Sequence, residues 1–383
     1  MFASHCPRCR SRVRRTQNYC QRCGLPLIRT PVADVDDETD DSPAPWYASP
    51  PMVSYAGQLV ASAMSGAVTA LLALILAFWL FGAGRDGRVV VVTPAELEAA
   101  GAAGEINASA LVPIADSRFL IVDDLTDDAF YELTFTPEGE KSGPLVRRPL
   151  LGMEAGLVED LEGATLINRD GRRIIVAVSS LENTEGERTE DGLVRVVVGA
   201  EGELRGEVMP GFRAWLLSQF PEVANTPVGP DALDVQGLIW DADRELLLLG
   251  VRSASQSGRP LLLGVRVKDW TAPWTVENLE RANVVELAIG DPKRPRGIYS
   301  LARHPNRREF VVIVGATNKH ANFELYAWDG EAQGSMRRIE NVAFDSDMKP
   351  EGITFGTIGD RLAAVIVDDN GGYYVLWDDD WHV

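Results

Sequence analysis

The chain has 383 residues, 45% of them hydrophobic, and a formal net charge of −19. That length is enough for two or three domains with a large core, and the acidic balance argues against nucleic acid as a partner of the bulk of the chain. All four cysteines (Cys6, Cys9, Cys20 and Cys23) lie at the N-terminus, which excludes a disulfide scaffold elsewhere.

Residues 1–29 carry Cys6-Pro7-Arg8-Cys9 and Cys20-Gln21-Arg22-Cys23, a C-x2-C-x10-C-x2-C spacing. Two knuckles that present paired thiolates make a closed tetrahedral site of the kind structural zinc prefers. A segment with so little apolar content folds only around its metal. Tyr19-Cys20-Gln21-Arg22-Cys23-Gly24 resembles the second knuckle of short bacterial zinc ribbons, although Arg10 replaces the glycine usual after the first knuckle. The resemblance implies a docking or stabilising role, with a cytoplasmic protein as partner. A site filled by four thiolates leaves no open position for catalysis.

Residues 30–52 combine several prolines with the acidic run from Asp34 to Asp41 and read as a disordered spacer. Residues 53–84 then contain no charge, and Leu59 to Phe81 is continuously apolar or small. At about 1.5 Å rise per residue, such a run crosses a hydrocarbon layer of about 30 Å. It begins too far from residue 1 and is too long for a cleaved signal peptide, so it reads as a single-pass anchor. The arginines upstream, from Arg8 to Arg22, and the metal-binding thiolates both favour a cytoplasmic N-terminus, with the large C-terminal domain outside. Ser62, Gly66 and Ala70 share one helical line, which allows a weak homodimer through the span.

Residues 85–107 form a connector. It holds the β-branched run Val89–Val92 and a short helical pattern over Pro94–Ala103. From residue 108 to 383 one pattern recurs five times: an apolar run, a turn, a longer apolar run, a polar loop and a third apolar run. The central runs are Phe119–Val122, Arg173–Ser179, Glu245–Val251, Glu309–Val314 and Leu362–Val367. Gly163, Gly237, Gly297 and Gly352 open four of the copies. The turns are rich in Asn, Asp, Gly and Pro, and the runs are too short and too β-branched for helices. The reading is a mainly β chain, a β-propeller of five or six blades. A sixth blade has two candidate locations, Gly199–Pro230 and Trp270–Leu287, the first of which contains a helical pattern over Phe212–Val223. Val89–Val92 is expected to complete the last blade and close the ring.

The stretches Asp234-Val235-Gln236-Gly237, Arg296-Gly297-Ile298-Tyr299-Ser300, Pro350-Glu351-Gly352-Ile353 and Val367-Asp368-Asp369-Asn370-Gly371 resemble a bacterial family, the domain of unknown function 3616. The family is similar to the phytase-like propellers, and the resemblance covers residues 108 to 377. It implies the propeller fold. The usual Asn-x-Glu-Gly of that family stands here as Asp-Val-Gln-Gly, with one carboxylate lost.

Antiparallel first and second runs place the start of one and the end of the other at the same mouth of the ring. The start set is Glu162, Gln236, Arg296 and Glu351; the end set includes Asp123, Asp124, Ser179, Ser180, Arg252, Ser253, Thr317, Asn318, Asp368 and Asp369. Such a rim suits a ligand or a hard cation, calcium above all, held by carboxylate oxygens. Among the histidines only His320 is placed near it, and no G-x-S-x-G elbow is present. Three functions compete. The first is a non-enzymatic, membrane-anchored propeller that binds a protein or small molecule outside. The second is a metal-dependent phosphoesterase with Arg252 and Arg296 on the phosphate. The third is a structural envelope protein.

Overall fold

The computed structural model describes residues 89–97, 106–181, 192–224, 233–253, 255–317, 322–332 and 334–381. The chain divides into two compact units, residues 1–84 and 85–383. The cysteine motif, the spacer and the predicted membrane span all fall in the first unit, outside the described residues. Among the described residues no helix is long and apolar enough to cross a membrane.

The second unit is mainly β. Its strands in chain order begin with β1 (Val90–Val92) and β2 (Ala95–Glu96). The first repeat unit follows: β3 (Ala108–Ala115), β4 (Arg118–Asp123), β5 (Thr126–Thr134) and β6 (Val146–Leu151). The second unit is β7 (Leu161–Arg169), β8 (Arg172–Ser179), β9 (Gly192–Val198) and β10 (Leu204–Pro210). Two short helices, α1 (Phe212–Gln219) and α2 (Pro221–Ala224), separate it from the third, β11 (Val235–Asp241), β12 (Leu246–Val251), β13 (Leu261–Val267) and β14 (Leu279–Glu286). The fourth is β15 (Arg296–Arg303), β16 (Phe310–Ala316), β17 (Glu324–Trp328) and β18 (Met336–Arg338). After β19 (Val342–Phe344) the fifth brings β20 (Pro350–Ile358), β21 (Arg361–Asp368) and β22 (Gly372–Trp377).

Every unit is an antiparallel meander. The first two form one eight-stranded sheet because β6 and β10 meet in a short parallel pairing, Leu204 opposite Leu150 and Arg205 opposite Leu151. The third and fourth are separate four-stranded sheets, and the fifth reaches four strands by adding β2 beside β22. The first strands of the units touch their neighbours in the cyclic order β3, β7, β11, β15, β20 and back to β3. The arrangement is propeller-like.

The period-2 alternation of a strand explains why the central runs are apolar on both faces. In β4, Phe119 and Ile121 face a core shared with Val365 and Val367 of the fifth unit. Leu120 and Val122 face a core shared with Ile175 and Ala177 of the second. The same division gives five apolar clusters, each shared by two neighbouring units. Each fully buried Leu, Ile or Val in them contributes about 1.5–3 kcal/mol. The cluster between the second and third units is the broadest, because Phe212 and Leu216 of α1 add to it together with Trp270 and Trp274. Neighbouring first strands approach closely where a side chain is missing: a Cβ on Gly163 would stand 2.9 Å from the backbone nitrogen of Leu238.

Three expectations are corrected. Val90–Val92 does not complete the last sheet; it pairs in parallel with Val342–Phe344, and Ala95–Glu96 closes the fifth unit against Tyr373 and Gly372. The helical pattern over Pro94–Ala103 therefore begins as strand, since a two-residue pairing with an open sheet edge outweighs a weak local preference. Nor, among the described residues, do the two insertions hold a sixth unit. Leu204–Pro210 and Leu279–Glu286 are the fourth strands of the second and third units. The repeat reading had three runs per copy, and the fourth strands are short or polar enough to escape it.

Candidate functional site

In its first half each of the five first strands carries an irregularity in its pairing with the second, and β3 has another between Pro113 and Ala115. The bulged residues are Ser109, Glu162, Gln236, Tyr299 and Glu351. A bulge inserts one unpaired residue and re-aims its side chain. In four units it is the second residue of the strand. In the fourth unit it falls two residues later, at Tyr299, so Arg296 is not the counterpart of Glu162, Gln236 and Glu351.

The residue two positions before the bulge is tied to the residue immediately after β4, β8, β12 and β21. The Asn107 side chain bonds Asp124, Ser180 donates to Asp160, Arg252 Nε donates to Asp234 Oδ2 at 2.5 Å, and Lys349 Nζ donates to Asp369 Oδ2 at 2.6 Å. Backbone bonds run beside all four, from the N–H of Asp124, Ser180, Arg252 and Asp369 to the carbonyls of Asn107, Asp160, Asp234 and Lys349. The fourth unit has glycine, Gly297, at the corresponding place, where a Cβ would collide with the Arg252 carbonyl at 1.8 Å.

These pairs and bulges converge on one mouth. Its carboxylates are Asp124, Asp160, Glu162, Asp234, Glu351 and Asp369, against the cations Arg252 and Lys349. Glu162 is 6% exposed, Glu351 7% and Gln236 1%. Burial, followed by the charge of Glu351, raises the Glu162 carboxyl well above the usual range. Burial and Asp369 push Glu351 up to about 8. Burial and the carboxylates Asp369, Asp123 and Asp160 push Asp124 up to about 7. The Arg252 guanidinium is held charged by Asp234 and Glu162 against the opposing effect of burial. Burial likewise pushes the Tyr299 hydroxyl up to about 12.

Three oxygens in this mouth are buried and accept no hydrogen bond: Asp124 Oδ1, Glu162 Oε2 and Gln236 Oε1. Gln236 uses its amide to donate to Asp234 Oδ1 at 3.1 Å, which leaves its carbonyl without a donor. A buried acceptor with no partner costs about 1–3 kcal/mol, and here the cost is incurred on three different units.

The rim residues expected from the sequence divide into two groups. Glu162, Gln236, Arg252, Glu351, Asp124 and Asp369 meet at the mouth. Asp123 and Asp368 instead turn onto backbone: Asp123 accepts from the Asn107 N–H at 2.8 Å and the Thr126 hydroxyl at 2.6 Å, and Asp368 accepts from the Lys349 N–H at 2.7 Å. In both Asp-Asp pairs the first carboxylate caps the turn and the second enters the mouth. Arg296 pairs with Glu324 of its own unit and donates to the Asn322 carbonyl at 3.0 Å; Arg338 meets the same Glu324 at 3.1 Å. Ser179 and Ser180 serve local bonds to Gly192 and Asp160. Asn318 and His320 lie outside the described residues, as do Cys6, Cys9, Cys20 and Cys23.

Asp160, Lys349 and Tyr299 were not singled out from the sequence. The first two had a signal, because Asp160-Leu161-Glu162-Gly163, Asp234-Val235-Gln236-Gly237 and Lys349-Pro350-Glu351-Gly352 share one frame. Tyr299 had none, since the shifted bulge breaks that frame.

Calcium takes six to eight oxygens at about 2.3–2.6 Å, and among the described residues no three His, Cys, Asp or Glu side chains are grouped to hold a metal. A cleft of about 330 Å³ lies at the opposite end, between the third and fourth units, lined by Asp241, Arg244, Arg303, Arg308, Phe310 and Glu331 among others. Its Arg244 and Arg303 are tied to the buried Asp241 and to the acids beside it.

No family model matches the chain, and no curated protein matches it. Among solved structures it is similar to a glucose dehydrogenase, with 12% identity over 74% of this chain and 99% of that one and a TM-score of 0.39. It is similar to the major allergen of Malassezia sympodialis, Mala s 1, with 11% identity over 72% and 80% and a TM-score of 0.36. It is also similar to an α-L-arabinofuranosidase from Podospora anserina in complex with cellotriose, with 11% identity over 75% and 95% and a TM-score of 0.40. Scores and identities this low decide nothing about the chemistry of this chain.

Proposed function

We propose that this chain is a single-pass membrane protein whose C-terminal domain, a five-bladed propeller, binds a ligand or protein partner outside the cytoplasm, and whose N-terminal four-cysteine ribbon holds zinc inside. The site of binding is the acidic mouth. The observation that carries this reading is the burial of three oxygens without hydrogen-bond donors, contributed by three different units to one opening. Stability alone gives no reason to keep them there, whereas a ligand that supplies donors removes their cost. The domain reading agrees with the resemblance to the domain of unknown function 3616.

The phosphoesterase alternative has less behind it. Arg252 and Arg296, the two groups assigned to a phosphate, are each engaged by a carboxylate, and the acids of the mouth are not grouped as a metal nest. The structural-envelope alternative leaves the orphaned oxygens without a purpose.

The test of the binding reading is a thermal-shift screen of the purified full chain in detergent against cationic, anionic and neutral small molecules, repeated with Glu351→Gln. Compounds that raise the melting temperature of the wild type but not of the variant support it. A screen in which every stabilising compound acts equally on both overturns it. Thiol labelling of intact and permeabilised cells in the presence of a zinc chelator tests the topology, with Cys6, Cys9, Cys20 and Cys23 expected to react only after permeabilisation.

A further inference from the structure

The acidic mouth combines a strongly negative setting with a shortage of hydrogen-bond donors, and the two together define a ligand class. Asp124 Oδ1, Glu162 Oε2 and Gln236 Oε1 are all acceptors, and each is buried without a partner. Glu162 and Gln236 are more than nine-tenths buried. Asp124 and Glu351 lie within electrostatic reach of one another, as do Glu162 and Glu351, so the three blades that bear these acids face a common space. Of the two cations in the mouth, Arg252 is directed to Asp234 and Lys349 to Asp369.

A divalent cation asks for six to eight oxygens at one short distance, and among the described residues no three His, Cys, Asp or Glu side chains are grouped to hold one. An ammonium group asks for something different. It carries one positive charge and three N–H donors spread over a tetrahedral face, and charge-assisted bonds from such donors to carboxylates are stronger than neutral ones. Three orphaned acceptors call for N–H donors, and one ammonium carries three. We infer that the mouth binds a primary ammonium group, with Glu162, Gln236 and Asp124 accepting its N–H bonds and the acids of the mouth, Glu351 among them, giving up protons as the cation enters. The inference rests on the mouth being the ligand site.

One chemistry has two sources here, a free amine and the lysine side chain of a protein, and two probes separate them. Calorimetric titration of the full chain in detergent uses n-butylammonium for the first and Nα-acetyl-lysine methylamide for the second, with tetramethylammonium and calcium chloride as comparisons. Binding of either primary ammonium at least about tenfold tighter than tetramethylammonium, which has the charge and no donors, is the expected result, and the tighter of the two identifies the source. Glu162→Gln and Glu351→Gln are each expected to weaken it at least about tenfold, while Asp243→Asn in the distant cleft leaves it unchanged. Equal binding of tetramethylammonium, or no binding of either primary amine, overturns the assignment. Calcium binding that depends on Glu162 and Glu351, with no amine binding, overturns it too but leaves the mouth as a ligand site. Binding of any probe that ignores both substitutions overturns both. The comparison with tetramethylammonium is made on the wild-type chain, so it stands even where a variant fails to fold.

Discussion

Asp234 accepts a hydrogen bond from the Arg252 guanidinium at 2.5 Å, in the place where the fifth unit sets Lys349 against Asp369 with the charges exchanged. One geometric position, two residues before a bulge, thus carries the acid in one blade and the base in another. The repeat preserves the contact and leaves the sign free. The mouth collects the result, an uneven ring in which the acids of the first, second and fifth units face few cations.

Stability is expected to fall as pH rises from about 5 to about 9. Glu351 has its carboxyl pushed up to about 8, so the native state holds its proton more tightly than the unfolded chain does. The stability from that proton is complete below the unfolded value and is lost as pH rises through about 8. Glu351→Gln cannot ionise, so it should flatten this part of the profile and be more stable than the wild type at pH 9. Urea unfolding at several pH values measures both, and a wild-type profile that rises over this range would show the mouth to be ordinary surface.

Gln236→Glu places a further carboxyl in the mouth at a position that is 1% exposed. It should be tolerated near pH 5, where it is protonated, and destabilise the domain by about 1–3 kcal/mol near pH 8. Thermal melts of the two proteins at the two pH values give the comparison; equal losses at both would indicate a steric effect rather than charge.

Gly297→Ala drives a Cβ onto the Arg252 carbonyl, 1.8 Å away in the unrelaxed backbone. Backbone cannot swing aside as a side-chain tip can, so a loss of about 2–4 kcal/mol is expected, at the upper end for overpacking. Because Arg252 itself must shift, the same substitution should weaken ligand binding at the mouth. Chemical denaturation and titration on one preparation report the two effects.

Trp381→Ala removes a fully buried ring that stacks on Phe355 at 5.8 Å and belongs to the core between the fourth and fifth units. A cost of about 3–5 kcal/mol is expected. His304 joins the same corner through Asp378, 2.9 Å from its Nε2. Hydrogen exchange should show the loss concentrated in β20 to β22, since that unit is closed by β2, a segment distant in sequence; uniform loss across all five units would contradict this.

Metal analysis of the full chain should find about one zinc per chain, as a closed four-thiolate site requires. Cys20→Ser should release it without moving the melting temperature of the C-terminal domain. A concerted loss of both would mean that the two regions fold as one.

Composition and periodicity alone carried the β character of residues 108 to 383, the five-fold repeat and the central strands, because a strand buried on both faces must be continuously apolar and its turns must be Asn, Asp, Gly or Pro. The same local logic marked Glu162, Gln236, Arg252 and Glu351 as neighbours, since strand reversal brings first-strand starts and second-strand ends to one side. What local pattern could not decide depends on pairing between distant segments. The fourth strands are short or polar; β2 owes its existence to an open edge presented by β22, far along the chain. Arg296 shares its glycine with the other units yet leaves the mouth, because the bulge moved to Tyr299. Asp123 and Asp368 read like their neighbours Asp124 and Asp369, and only the backbone N–H groups they meet in the folded chain separate a turn cap from a charge facing the mouth.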